Sequence, residues 1–340
     1  MNYIVFDLEW NQSPHGKRYS VPEIPFEIIE IGAIKLNERM EPLDTFQTLI
    51  RPKVYKWIHN SIHDVIHVNY QDLIEGTPFP QAIGEFIEWC RLGQKLDPEG
   101  YVVTDEEAPE QDFFFCTWGN QDVMELQRNM KYYDLLTLLP GPVTYYDVQK
   151  LFALAFETSE VCRSLEYAVD YLDIDKAHGF HRALEDAHFT AMTMLRLDPE
   201  LIRENPALDT YQNPQSKKEE LLLHRPRFTE YVSREFVSRE KAVKDREVMS
   251  TRCPMCGSNA KRQVRWFSGN SKTYYSISQC QEHGAVTGIL RFRKTENGGF
   301  FADKILKNAT EEEANEIRDR RESLREKKKA PRHKKPKTAD

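Results

Sequence analysis

Between Tyr3 and about Arg196, short apolar and β-branched runs alternate with longer stretches in which apolar residues recur every three or four positions. Strands are predicted over 3–10, 27–36, 44–50 and 112–117, the first three in succession as in a meander. Helices are predicted over 79–92, 121–131, 145–156, 164–172 and 183–196, with Leu151, Leu154 and Ala155 showing the spacing in the third. Strands leading and helices following predict an α/β or α+β layer with a mixed sheet, of which the α/β form, with helices flanking the sheet, is the preferred reading. The stretch 96–111 (LDPEGYVVTDEEAPEQ) is acidic, carries Pro and Gly, and reads as a surface loop outside that core. Beyond Pro199 the texture becomes polar and Pro-punctuated, then charged with sparse apolar positions. The pattern predicts a first domain over 1–200, then a linker and connecting helix over 201–250. A small β unit over 251–306 follows, and 307–340 reads as a charged helix with a basic disordered tail.

With 30% charged residues and no run of about 18 apolar ones, no membrane-spanning helix is expected. The strand-like run from Tyr3 has no basic segment or small-residue cleavage site around it, so no signal peptide is expected and the location reads as cytoplasmic. The net charge of -7 conceals opposed halves: 16 Lys and Arg against 34 Asp and Glu in residues 1–200, but 31 against 20 in 201–340. A basic half is a candidate nucleic-acid surface, the plainer reading being a solvated face. Three cysteines, Cys90, Cys116 and Cys162, sit singly, whereas Cys253, Cys256 and Cys280 cluster in the basic half, a pattern of metal ligation in a reducing compartment.

Side chains alternate across a strand, so Asp7 and Glu9 of YIVFDLEW share one side. Like charges in an apolar frame are costly unless a cation neutralises them, and a Lys or Arg partner is the competing reading. Asp122, in CTWGNQD, follows a short strand at the opening of a helix, where it could instead be an N-cap. His181 and Asp186, in GFHRALEDAH, are five apart, roughly 140° around a helix. Both face one site only if His181 lies on the preceding loop and Asp186 on the helix itself.

Asp7-x-Glu9 in a first strand, Asp122 behind a Trp-Gly approach, and HxAxxDA toward residue 190 resemble the DEDDh group of DnaQ-like 3′-to-5′ exonucleases. The resemblance covers about residues 1–196 and includes EIIEIGAIKL and SLEYAVDYLDI; the Trp-Gly and an RPK after the third strand resemble the Eri-type and KapD-like branches. Where proofreading relatives follow the first Glu with Thr-Thr-Gly or similar, this chain has Trp10-Asn11-Gln12. The resemblance implies a ribonuclease H-like sheet and release of nucleoside 5′-monophosphates. It also implies single-stranded nucleic acid as substrate, RNA favoured over DNA, with Leu8 and Trp10 as candidate contacts. Oxygen-only ligation by Asp7, Glu9, Asp122 and Asp186 suits two Mg²⁺ or Mn²⁺ ions acting on an in-line phosphodiester displacement. His181 would be the general base.

In HNSIHDVIH, His59, His63 and His67 recur at helical spacing, but the outer two lie about 12 Å apart along the axis, so a helix flanking the substrate groove is the preferred reading over a metal stripe. His178 and His188 read as packing or phosphate-facing residues.

Cys253-Pro-Met-Cys256-Gly and Cys280-Gln-Glu-His283-Gly form two knuckles around a predicted hairpin turning at SGNS. A Cys₃His set closes a tetrahedral Zn²⁺ site with no open position, so a structural zinc ribbon is expected, needing its ion to fold. Lys261, Arg262, Arg265 and Trp266 interleave cations with an aromatic, as single-strand binders do; the competing reading makes the aromatics the hairpin's own core. The ribbon or the basic tail is also a candidate docking site for a protein. The reading from another functional class is a binding or regulatory module that uses a nuclease fold.

Overall fold

The structure is a computed structural model describing residues 1–56, 70–96, 102–107, 110–157, 161–176, 182–225, 228–270, 273–295 and 297–329. The chain divides into two units, Met1–Gln212 and Asn213–Asp340. Alternation along the first strand, β1 (Asn2–Gln12), feeds two cores. Ile4, Phe6 and Leu8 enter one apolar cluster, while Tyr3 and Val5 enter another. Asp7 and Glu9 therefore lie on the face of Tyr3 and Val5.

The strands β2 (Phe26–Leu36) and β3 (Pro42–Leu49) continue antiparallel from β1. The short helix α1 (Tyr70–Glu75), α2 (Phe79–Arg91) and the two-stranded pair β4 (Gly93–Leu96) and β5 (Val102–Asp105) follow. Next come β6 (Phe113–Thr117), α3 (Gln121–Tyr132), β7 (Val143–Asp147), α4 (Val148–Phe156), α5 (Leu165–Tyr171), α6 (Ala183–Met194), α7 (Pro199–Glu204) and β8 (Ala207–Asp209). Sheet order is β3-β2-β1-β6-β7-β8, with β1, β6 and β7 parallel and the rest antiparallel, the mixed sheet expected of a ribonuclease H-like fold. Helices α2 and α3 pack their apolar residues on the Phe6 face, and α4 and α6 on the Val5 face.

The second unit is one antiparallel sheet in the order β11-β12-β13-β14-β10-β9. Its elements are β9 (Leu221–His224), β10 (Phe228–Val232), α8 (Arg239–Lys244), β11 (Lys261–Ser268), β12 (Thr273–Cys280), β13 (Gly284–Lys294), β14 (Phe300–Asn308) and α9 (Glu311–Lys329).

Three expectations change. The span 201–250 is not a linker with a connecting helix: α7 and β8 complete the first unit, and β10 pairs with β14 so that Tyr231 joins a core of Leu290, Phe292 and Ala302. The β unit is correspondingly larger than 251–306. The helix foreseen from 145 begins at Val148, because Tyr145 to Asp147 pair in parallel with β6 and the Asp147 carboxylate accepts from Lys150 N at 3.0 Å as an N-cap. The segment 96–111 is not wholly loop, since β4 and β5 pair through it. Among the described residues, no helix is long and apolar enough to cross a membrane.

Candidate active site

Asp7 and Glu9 stand opposite Gly32 and Glu30 of β2 in the antiparallel register, and the pairing shifts immediately after Glu9. Asp186 reaches them from the first turn of α6, through a close approach of helix to sheet. A Cβ at Gly32 would lie 2.0 Å from Leu184 N and 2.2 Å from Ala183 C, so only glycine admits the helix backbone over β2 at this point. Carboxylate oxygens of Asp7, Glu9 and Asp186 consequently lie within 4.8 Å of one another. Asp122, buried in the first turn of α3, lines the same groove. Trp10, Trp118, Gly119, Gln149 and Leu165 complete its wall. Trp118 Nε1 and Gln149 Nε2 both donate to the Arg163 carbonyl, at 3.2 and 2.6 Å, which fixes two side chains of that wall from one backbone atom.

Burial of the carboxylates, and then their crowding, sets the electrostatics. Burial first, then Asp122, Asp186, Glu9 and Glu30, holds the Asp7 carboxyl well above the usual range. Burial, followed by Asp186, Glu30 and Asp122, pushes Glu9 up to about 8, with Arg182 opposing. Asp122 is raised to about 7, chiefly by burial, while backbone hydrogen bonds, including one from Leu8, pull it down. An oxygen-only donor set whose members repel one another fits a hard divalent cation.

The sequence model of the exonuclease family RNase_T matches residues 4–194, more than half of the chain and all four carboxylates. The chain belongs to this exonuclease family. The DEDDh resemblance of its first part is thereby borne out. Relatives of the family include ERI1 exoribonuclease 2 of Xenopus laevis, 23% identical over 57% of this chain, and the probable 3′-5′ exonuclease KapD of Bacillus subtilis strain 168, 25% identical over 57% of the chain and 82% of KapD. The match spans only 28% of the frog protein. The nuclease domain of 3′hExo, a DEDDh family member solved bound to rAMP, superimposes with a TM-score of 0.46 at 19% identity, covering 57% of this chain and 90% of that one.

Within this RNase_T-type unit, the proposed base, His181, lies outside the described residues, as do His59, His63, His67 and His178. His188 is half-buried on α6, its ring 6.0 Å from Phe189. Leu8 is 3% exposed and belongs to the core, although it borders the groove, while Trp10 is half-buried. Gly32, Glu30 and Arg182 escaped the sequence reading. A glycine amid the β-branched residues of EIIEIGAIKL was the available signal for the first.

Outside the exonuclease unit, Cys253, Cys256, Cys280 and His283 bring ligand atoms within 4.8 Å of one another. Cys256 and Cys280 sulfurs are 3.7 Å apart, and Cys280 Sγ is 3.8 Å from His283 Nδ1. Tetrahedral zinc with bonds of about 2.3 Å would set sulfur–sulfur edges of about 3.8 Å. Gly257 and Gly284 take φ of 68° and 80°, the left-handed turns that the two knuckles require. Hydrogen bonds from Ser258 lower the Cys256 thiol to about 6, and backbone N–H groups of His283 and Glu282 lower Cys280, both favouring the ligating thiolate. Lys261, Arg262 and Arg265 are exposed on the edge strand β11. Trp266 is not free to stack on bases: its indole donates to the Met249 carbonyl at 3.2 Å, and its ring packs over Gly288 into the core.

Proposed function

We propose that the chain is a metal-dependent 3′-to-5′ exonuclease that removes nucleotides from single-stranded nucleic acid, RNA in preference to DNA. The observation that carries this reading is the convergence of Asp7, Glu9 and Asp186 oxygens within 4.8 Å, with Asp122 on the same groove, inside an exonuclease-family span. Asp7, Glu9 and Asp186, with Asp122, would hold Mg²⁺ or Mn²⁺. Bound there, the cations would supply neutralisation of the phosphate charge and activation of the attacking water. Asp7 and Glu9 on a rigid strand, and Asp186 on a helix seated at Gly32, fix the geometry before substrate arrives. Trp10 and Trp118 offer aromatic surface to the terminal nucleotide. The general base is assigned to His181 on its place in HRALED, its side chain taking a proton from water at neutral pH. The preference for RNA is supported by the names of relatives: the frog protein is called an exoribonuclease and 3′hExo was solved with rAMP.

The Cys₃His cluster is proposed to hold a structural Zn²⁺, supported by the sulfur spacing and by the absence of any open position in a four-donor set. Lys261, Arg262 and Arg265 are proposed to neutralise phosphates of the substrate. The test is digestion of 5′-labelled single-stranded RNA and DNA of one sequence, with Mg²⁺, Mn²⁺ or EDTA. A metal-dependent ladder shortening from the 3′ end, faster on RNA and absent in Asp7→Ala, is expected. Tight binding without cleavage under any metal would sink the enzymatic reading and favour the binding module.

A further inference from the structure

Glu30 is the cross-strand partner of Glu9, so it shares that face of the sheet, and it is 1% exposed. By position it is a further carboxylate for the metal cluster, yet the oxygens that converge belong to Asp7, Glu9 and Asp186. Its charge is engaged elsewhere. Arg182 Nη2 donates to Glu30 Oε1 at 2.9 Å, Arg182 Nε stands 3.2 Å from both oxygens, and Gln47 Nε2 donates to Oε1 at 2.8 Å. Arg182 immediately precedes α6, the helix that carries Asp186, so one side chain both occupies Glu30 and ties the start of that helix to β2. Glu9 and Glu185 are the other carboxylates whose charge Arg182 feels.

We infer that Arg182 is a positioning residue that masks Glu30, withholding this carboxylate from the cations held by Asp7, Glu9 and Asp186 and so setting the edge of the metal site. The inference rests on the metal-dependent reading above. A mask and a mechanical tie differ in sign. If the pair only holds the helix, removing either partner loosens Asp186 and weakens cation binding alike. If Arg182 masks charge, losing it exposes a fresh carboxylate beside Glu9, whereas losing Glu30 leaves an unopposed guanidinium there.

The full chain, with zinc bound, is titrated with Mn²⁺ by calorimetry without substrate, and turnover of 5′-labelled single-stranded RNA is followed in parallel. Wild type, Arg182→Gln, Glu30→Gln and the double variant are compared, with melting temperature as the folding control. Masking predicts that Arg182→Gln binds Mn²⁺ roughly tenfold tighter while turnover falls, because the freed Glu30 draws the cation out of position. Glu30→Gln is expected to bind roughly tenfold more weakly, and the double variant to return close to wild-type affinity. Equal weakening in both single variants, in step with a lower melting temperature, would overturn the proposal and reduce the pair to a helix tie. Unchanged affinity in both would overturn it as well. A wild type that neither binds Mn²⁺ nor shortens RNA would instead bring down the metal-dependent reading, and the mask with it.

Discussion

The carboxylate site and the cysteine site are built on opposite plans. Asp7, Asp122 and Asp186 come from three distant parts of the first unit and meet only because β1 is central and α6 is allowed against β2 at Gly32. Cys253 and Cys256 share one turn, and Cys280 and His283 share another, each turn relieved by its own glycine. One site is a property of the whole domain, the other of two short knuckles at the end of a sheet. The first is prepared by burial and mutual repulsion that a cation relieves, the second by hydrogen bonds that favour the thiolates of Cys256 and Cys280. A domain-wide site should fail through single atoms of chemistry or packing, and a local site by loss of its ion.

The largest expected effect separates the two. Asp7→Ala should reduce turnover by at least about 10³-fold, since the group removed acts on the reacting phosphate, with zinc content and melting temperature retained. Cys280→Ser should lose the zinc yet keep turnover within about threefold when RNA is saturating, because Asp7, Glu9, Asp122 and Asp186 all belong to the first unit. Metal analysis beside a gel assay reads both, and equal loss of turnover in the two variants would break the comparison. In the zinc-free protein, hydrogen exchange should quicken around 251–260 and 280–286 but not across Leu290, Phe292 and Ala302, which have a core of their own with Tyr231.

Next in size is packing beneath the carboxylates. Gly32→Ala forces a methyl into helix backbone, where neither strand nor helix can give way, and about 3 kcal/mol of stability should be lost. At this domain size that is roughly 6–12 °C of melting temperature. An ordinary melting curve with normal Mn²⁺ binding would show that α6 does not depend on the glycine.

The same residue marks how far the sequence could be read. Asp7-x-Glu9 was legible because a strand's period of two puts both on one side, and Asp186 because it sits at a helix start. That α6 lies on β2, that Glu30 stands beside Glu9, and that Arg182 answers it are consequences of register and helix docking, which no local pattern encodes. The strands β9 and β10 were obscured for a different reason: Leu221 to His224 and Phe228 to Val232 are short and lie among charged residues whose spacing mimics an exposed helix. The pairing of β10 with β14, on whose far side β9 adds as the edge strand, is settled by a nonlocal apolar core. The clustering of Cys253, Cys256, Cys280 and His283 was foreshadowed because the residues of each knuckle are neighbours in sequence.

Acidity gives a smaller effect that differs between the two sites. The folded Glu9 carboxyl sits at about 8 against an ordinary 4.5, so the metal-free first unit binds more protons folded than unfolded. That stability is complete below the unfolded value and is lost as pH rises through the folded one. Cys256 sits at about 6 against an ordinary 9, so its contribution is present above the unfolded value and lost as pH falls through 6. Melting of the EDTA-treated protein from pH 5 to 9 should therefore show the first unit's transition falling with pH, while in the second unit the lowered Cys256 and Cys280 thiols oppose the raised Cys253 and His283 and leave a shallower dependence. Mg²⁺ should raise the first increasingly toward pH 8. Two equally steep transitions moving together would contradict the contrast between buried, mutually repelling carboxylates at one site and opposing shifts at the other.

The smallest effect concerns the edge cations. If Lys261, Arg262 and Arg265 each neutralise one phosphate, replacing all three by Ser should lower the slope of log affinity against log salt by about 2 for single strands. The loss should be similar for every sequence, because phosphate contacts carry no base information. Turnover at saturating RNA should be untouched, since no reacting atom is involved. The plain alternative is that these cations discourage pairing of the exposed edge strand β11 with another sheet. The two readings part cleanly: an unchanged salt slope together with self-association of the triple variant in sedimentation would assign the cations to guarding the edge. A shallower slope in a monomer would make the second unit the electrostatic grip that an acidic catalytic unit, carrying 34 acidic against 16 basic residues over 1–200, needs in order to approach a polyanion.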